Sequence, residues 1–458
     1  MTSHIHLIGI GGTGLSAIAR VLHESGFVVS GSDRQISPLA AALRADGVQV
    51  FEGHNPAHID GATLVVRSSA VPDDNVEVRA AFRKGVPVLK RAGFLGQLMS
   101  GRVGIAIAGT HGKTTTTSMI AWMLTDLGQA PSFIVGGVVA NLGTNARAGS
   151  GRYFVIEADE YDQMFLGLRP TISVVTNVEH DHPDCFPTPE DFTQAFRDFV
   201  GRLTPDGTLL ACADDPGAAA LLREAGAAGR RTFAYGLGDA CDLQARSLIP
   251  RPGSGYIFDL YHQNEFQVRV DLRVPGIHNV LNALAATGVG HAVGMPFPKM
   301  ARSLGAFRGA GRRFDVQGEA AGVTVVDDYA HHPTEIRATI AAARARYPER
   351  RLWVVWQPHT YSRTQMLFDE FAASFEGADH VIVTSVYAAR ETAPEGFSTQ
   401  SLADAISHPN ARYIPALSGV AQYLPGSLQA GDVLLTLSAG DANRISQDVL
   451  ETLRVNSV

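Results

Sequence analysis

The chain of 458 residues is 45% hydrophobic and 18% charged, enough apolar material for about three domain cores. Its formal net charge of −7, with no block of like charge, excludes the basic stripe of a nucleic-acid binder. Cys185, Cys212 and Cys241 show no CxxC spacing and predict free thiols in a reducing cytoplasm.

Residues 4–9 read as a short strand, and the glycines that follow break the apolar run too early for a signal peptide or a membrane span. The strand leads into Gly9-Ile10-Gly11-Gly12-Thr13-Gly14 and a helix carrying Leu15, Ile18, Ala19 and Leu22, and the next strand ends at Ser32-Asp33. This is a G-x-G-x-x-G turn between strand and helix, with an acid about 20 residues on that can meet a ribose hydroxyl. The same geometry serves a dinucleotide or any UDP-type diphosphate. Residues 63–66, followed by Ser68-Ser69-Ala70, and residues 86–89 continue the alternation, so a first domain is expected over 1–101.

Residues 105–108 form a buried strand running into Gly109-Thr110-His111-Gly112-Lys113-Thr114-Thr115. Glycines turn backbone N–H groups inward, and the helix N-terminus adds roughly half a positive charge, which together cradle phosphate. Lys113 fits a phosphate-binding cation and Thr114 a Mg2+ ligand. Ile107 stands where the longer P-loop pattern has glycine. The chain has only four lysines, Lys84, Lys90, Lys113 and Lys299, so one at this position is not filler. Met119, Ile120, Met123, Leu124 and Leu127 then predict a helix with one face packed on a sheet. Strands over 153–156 and 172–176 end in Glu157-Ala158-Asp159-Glu160-Tyr161-Asp162 and Asn177-Val178-Glu179-His180-Asp181-His182. Ligands collect at such strand ends, and carboxylates suit Mg2+.

Thr188-Pro189 predicts a capped helix start, and residues 256–260 and 266–270 an antiparallel hairpin. Pro275-Gly276 opens an alanine-rich helix on which His278, Asn279 and Asn282 can share a face. A glycine-rich stretch over 305–311 marks a second boundary, giving a central domain over 102–310 and a third α/β domain over 311–458. Two of its strand ends carry Asp327-Asp328-Tyr329-Ala330-His331-His332-Pro333-Thr334-Glu335 and Gln357-Pro358-His359-Thr360-Tyr361-Ser362-Arg363-Thr364. Neither H-E-x-x-H nor a cysteine pair accompanies these histidines, which argues against zinc.

In this order the glycine turn, the Gly109–Thr115 loop, Glu157-Ala158-Asp159-Glu160, Asp181-His182, His278-Asn279 with Asn282, Arg312-Arg313-Phe314 and the Asp327–Glu335 string resemble the Mur ligases, end to end and most closely the alanine-adding branch. The resemblance implies an α/β fold of three domains: a Rossmann-like UDP-binding domain, a central P-loop ATPase-type domain with a small antiparallel sheet, and a Rossmann-like amino-acid domain. It implies a cytoplasmic, ATP- and Mg2+-dependent ligase, monomeric or weakly dimeric, with no nucleic-acid or membrane partner. Such an enzyme joins L-alanine to the lactyl carboxylate of UDP-N-acetylmuramate through an acyl phosphate, in peptidoglycan precursor synthesis. Gly11, Gly12, Thr13, Gly14, Ser32, Asp33 and Ser69 would hold the UDP-sugar. Gly109, Thr110, His111, Gly112, Lys113, Thr114 and Thr115, with His278, Asn279, Asn282, Arg313 and Asp328, would hold ATP. Thr114, Glu157 and His182 would hold the metal, and Lys113, Glu157, His182, His332 and Arg363 would carry the chemistry, Arg363 pairing with the amino acid's carboxylate. The carbamylated lysine of some relatives has no counterpart, because residues 183–298 contain no lysine.

Three positions depart from the alanine-adding pattern: Tyr161 for serine, as in the ligase that recycles murein tripeptide, Thr360 for arginine, and Ser438 for glycine. Transfer of murein tripeptide is therefore the alternative. An NAD-dependent oxidoreductase leaves Lys113, Glu157 and His182 without work, and a nucleotide-hydrolysing switch would need no UDP-sugar.

Overall fold

The computed structural model describes residues 3–455, which form three sheets flanked by helices. The first sheet is parallel throughout, in the order Gln49–Glu52, Val28–Asp33, His4–Ile8, Leu64–Arg67, Val88–Lys90. Chain order reverses between His4–Ile8 and Leu64–Arg67, and the glycine turn leaves Ile8 at that crevice, where open α/β sheets bind ligands.

The second sheet has ten strands, with Val103–Ala108 between Tyr153–Glu157 and Ile172–Val175, all three parallel. The loop after Ala108 and both acidic loops therefore leave the sheet at one edge. The hairpin Tyr256–His262 and Glu265–Leu272 turns through Gln263-Asn264, both with positive φ, as a two-residue hairpin loop demands. It extends the large sheet through the strand Leu243–Pro250, which pairs antiparallel with Tyr256–His262 and joins the sheet by the parallel pairs Tyr235↔Leu243 and Gly236↔Gln244.

The helix Lys113–Asp126 is buried on more than the one face expected. Thr114 to Ala121 are all buried, as are Met123 and Leu124, because the helix lies between the sheet and Ile277–Ala292. Its polar residues tolerate this by local bonding: the hydroxyls of Thr117 and Ser118 donate to carbonyls one turn back, both at 2.7 Å, and that of Thr116 donates to Asn282 Oδ1 at 3.0 Å. The helix Pro189–Gly201 starts as expected, with a reciprocal Thr188/Asp191 capping box.

The third sheet places Val433–Ser438 between Val323–Asp328 and Leu352–Gln357, all parallel, with Asp315–Ala320 antiparallel on one edge. The two histidine-bearing segments follow its strands Val323–Asp328 and Leu352–Gln357. Among the described residues no helix is long and apolar enough to cross a membrane.

Candidate active site

The loop from Gly109 to Gly112 is built by close approaches that only glycine allows. Gly109 has φ +137, and a Cβ there would lie 1.9 Å from Thr176 Oγ1. Gly112 has φ +80, and a Cβ would meet Asn282 Oδ1 at 2.7 Å. Lys113 folds back over the loop: Nζ donates to the carbonyls of Gly109 and Thr110 at 2.6 and 3.0 Å and to Glu160 Oε1 at 2.8 Å. Burial opposes its charge, but the Glu160 carboxylate wins and raises the Lys113 pKa. Glu160 is itself pushed up to about 7 by burial, against the pull of Lys113.

Two groups of metal-compatible atoms flank this pair. On one side the Thr114 hydroxyl donates to Glu157 Oε1 at 3.0 Å, while Glu157 Oε2 accepts from the Gly136 N–H at 2.7 Å. On the other, His182 Nε2 lies 3.8 Å from Glu160 Oε1. A hydroxyl beside a carboxylate is a hard oxygen pair that fits Mg2+.

The C-terminal unit docks on the same loops. His111 Nε2 faces Glu179 Oε2 at 2.9 Å, and Nδ1 faces Glu335 Oε1 of the C-terminal unit at 3.2 Å. A carboxylate against each ring nitrogen favours the imidazolium form. Burial would lower its pKa, but the bonds to Glu179 and Glu335 raise it to about 9. Thr334 Oγ1 donates to Glu179 Oε1 at 2.8 Å, and Arg363 of the C-terminal unit pairs with Asp181. Among the described residues His111, Glu179 and His332 form the one group of three His, Cys, Asp or Glu ligand atoms within metal-binding reach of one another. His111 bridges Glu179 of the central unit and Glu335 of the C-terminal unit as a latch between them.

Between the units lies a cleft of about 860 Å³. Of the residues expected to contact nucleotide, His111, Gly112, Thr115, His278, Asn279, Asn282, Arg313 and Asp328 all line it.

Residues 4–103 match the Mur ligase family catalytic domain, 107–290 the Mur ligase middle domain and 312–440 the Mur ligase glutamate ligase domain. The chain belongs to the Mur ligase family. A UDP-N-acetylmuramate–L-alanine ligase of Roseiflexus sp. (strain RS-1) is 45% identical over 469 residues, covering 98% of this chain and 99% of the relative. The solved UDP-N-acetylmuramate-alanine ligase of Thermotoga maritima superposes with a TM-score of 0.82 at 26% identity, covering 99% of each chain. A murein peptide ligase of Psychrobacter arcticus 273-4 superposes with a TM-score of 0.71 at 28% identity, also over 99% of each chain.

Several expected residues of this Mur ligase are engaged differently from the sequence expectation. Arg363, expected to give a bidentate grip to a substrate carboxylate, gives that grip to Asp181, at 2.7 and 3.2 Å. Asp328 accepts backbone N–H bonds from Phe314 at 2.6 Å and Ala330 at 2.8 Å, so its carboxylate fixes the segment entering the C-terminal unit. Burial still raises its pKa to about 6. His332 caps the helix Pro333–Arg346, its Nδ1 accepting from Thr334 N at 3.3 Å. Burial lowers it to about 4, so it is neutral, and Nε2 is buried without a partner. Asn279 and Asn282 bond each other at 3.0 Å, which orders the cleft floor.

At the first glycine turn, Asp33 Oδ2 accepts the Gly11 N–H at 2.8 Å, so the acid expected on a ribose braces the turn. Ser32 is fully buried and donates to Glu77 Oε2 at 2.5 Å, whereas Ser69 is exposed. The turn carries a residue that the motif did not announce. Arg91 lies against Gly14, where a Cβ would be 2.3 Å from Nη1, and its Nε is buried with no partner. The first position of a helix that starts after residue 90 gave no signal for this, since only the fold brings it to the turn. Glu160, Glu179, Asp181 and Glu335 lie within the strand-end strings, yet their pairing with Lys113, His111 and Arg363 depends on several loops of two different sheets meeting.

The departures are accommodated. Tyr161 donates to Asp184 at 2.9 Å, sets its ring edge-on to His182 at 5.1 Å and lies under the Arg390 guanidinium at 4.6 Å. Ser438 Oγ donates to Gln357 Oε1 at 2.6 Å. Thr360 sits at φ +64, strained for a β-branched residue, before the helix Tyr361–Met366 that carries Arg363.

Proposed function

We propose that this Mur ligase joins L-alanine to UDP-N-acetylmuramate at the expense of ATP, each of its three units serving one substrate: 1–101 the UDP-sugar, 102–310 ATP and 311–458 the amino acid. The observation that carries this is the meeting, in one place, of the Lys113–Glu160 pair, His182 and Arg363, the last contributed by the C-terminal unit. A carboxylate and an amine do not condense in water, so the carboxylate is first phosphorylated and ADP leaves. The amine then attacks the acyl phosphate, its C–O bond to phosphate breaks, and the amine loses a proton.

Lys113 and Arg313 present charge to the phosphates, with the loop N–H groups and the helix N-terminus behind them. Thr114, Glu157 and His182 would hold Mg2+, which when bound neutralises charge on the transferred phosphoryl group. Positioning carries the rest, because the reactants come from different units. The relatives' names support alanine over murein tripeptide: alanine ligases match at 42–45% identity over nearly the whole chain.

Purified protein assayed for ADP release with each component omitted tests this. Release is expected only with ATP, UDP-N-acetylmuramate and L-alanine together. Substantial release without the UDP-sugar would replace the reading with a nucleotide switch, and release with tripeptide but not alanine would replace it with the recycling ligase.

A further inference from the structure

Asp181 and Arg363 come from different units, the loop after Ile172–Val175 and the helix Tyr361–Met366. They are 3% and 2% exposed. Arg363 Nε donates to Asp181 Oδ1 at 2.7 Å and one terminal nitrogen donates to Oδ2 at 3.2 Å. The other terminal nitrogen points at His359, 3.1 Å from Nδ1 and 3.3 Å from the carbonyl oxygen. Asp181 Oδ1 also accepts the backbone N–H of His182 at 2.7 Å, and His182 stands in the left-handed region at φ 56. One carboxylate therefore stabilises a strained backbone beside Lys113–Glu160 and grips a guanidinium from another sheet.

A buried ion pair is weak evidence for stability, since packed apolar side chains would often serve as well. What this pair supplies is direction. With the Nε edge held, and the terminal nitrogen on that edge also 3.4 Å from His182 Nδ1, the end left to a ligand is the one that now faces His359. That histidine is neutral, lowered by burial to about 4, and is a weak rival for a carboxylate.

We infer that Asp181 is a positioning residue that aligns Arg363 toward the amino acid's carboxylate and ties that alignment to His182 at the phosphate site. The inference rests on the alanine-ligase reading. An amino-acid site built this way is complete only when the C-terminal unit is docked, so the amine is held at the place where the acyl phosphate forms.

The test compares Asp181→Ala, Asp181→Asn, Arg363→Lys and the Asn/Lys double variant with wild type. Asp181→Ala is expected to raise the KM for L-alanine on the order of 10- to 100-fold, the scale of a small misplacement, with KM for ATP and UDP-N-acetylmuramate within about twofold. Asp181→Asn keeps one acceptor and falls between. Its effect shrinks in the Arg363→Lys background, because residues acting as a unit are not additive. An equal rise in all three KM values, additivity in the double variant, or a lower KM for alanine overturns the inference, the last by making Asp181 a competitor of the substrate. If wild type does not use alanine the ligase reading fails, and small-angle scattering with ADP decides the rest. A larger radius for Asp181→Ala than for wild type supports the coupling, and identical profiles overturn it.

Discussion

Lys113 is held by two carbonyls and one carboxylate, so a bound nucleotide must draw the ammonium away from oxygens that already satisfy it. Lys113→Ala is expected to lower turnover roughly 100-fold or more, since a preorganised charge facing a transition state contributes a few kcal/mol. Near-normal turnover in the ADP assay would remove it from the chemistry. Arg91 presents the opposite case, a cation laid against the first glycine turn with its Nε buried and unpartnered. A diphosphate placed at the turn would supply such a group with a partner. Arg91→Ala should raise the KM for the UDP-sugar about tenfold while that for alanine stays put. Lys113 was readable from its motif because the loop is contiguous. Arg91 was not, because its partner Gly14 lies far back in the chain.

At the level of elements, the strand-to-helix joint from Val103–Ala108 to Lys113–Asp126 depends on glycine geometry more than on apolar burial. Gly109→Ala must move either the loop or Thr176, and is expected to destabilise the fold by about 1–3 kcal/mol and to weaken ADP binding. Thermal melts and calorimetry with ADP check both effects. Unchanged ADP affinity would mean that the loop does not need this backbone shape to cradle phosphate. The helix itself shows where periodicity misleads. Its apolar residues mark a core face, but Thr116 and Thr117 are also buried, and their tolerance rests on bonds to Asn282 and to Lys113 O. Polar residues bonded to their own helix leave no trace in a hydrophobic pattern.

For the whole molecule, the His111 latch predicts how docking of the C-terminal unit depends on pH. His111 is raised to about 9 from 6.5, so its contribution is complete below pH 6.5 and lost as pH rises through 9. Glu179 is lowered to about 2 from 4.5; burial would raise it, but its bond to His111 wins, so its contribution is complete above pH 4.5 and lost as pH falls toward 2. The difference in melting temperature between wild type and His111→Asn should be greatest from pH 4.5 to 6.5 and shrink toward pH 9. A difference independent of pH would mean that the ring is neutral. Small-angle scattering should also show compaction when ATP analogue and UDP-sugar bind together, because contacts on both sides of the cleft complete the site.

The sequence alone determined what is local: the two glycine turns, the Lys113-Thr114 pair, the acids closing two strands, and an order of motifs that resembles one family. Such features are set by backbone conformation and by neighbours within a few residues. The tertiary structure alone decided the pairings, among them Lys113 with Glu160, His111 between Glu179 and Glu335, and Arg363 with Asp181 in place of a free guanidinium. These join residues as far apart in the chain as His111 and Glu335. Charge partners in a buried site are chosen by which strand ends the packing of the sheets brings together, and no spacing along the chain encodes that distance.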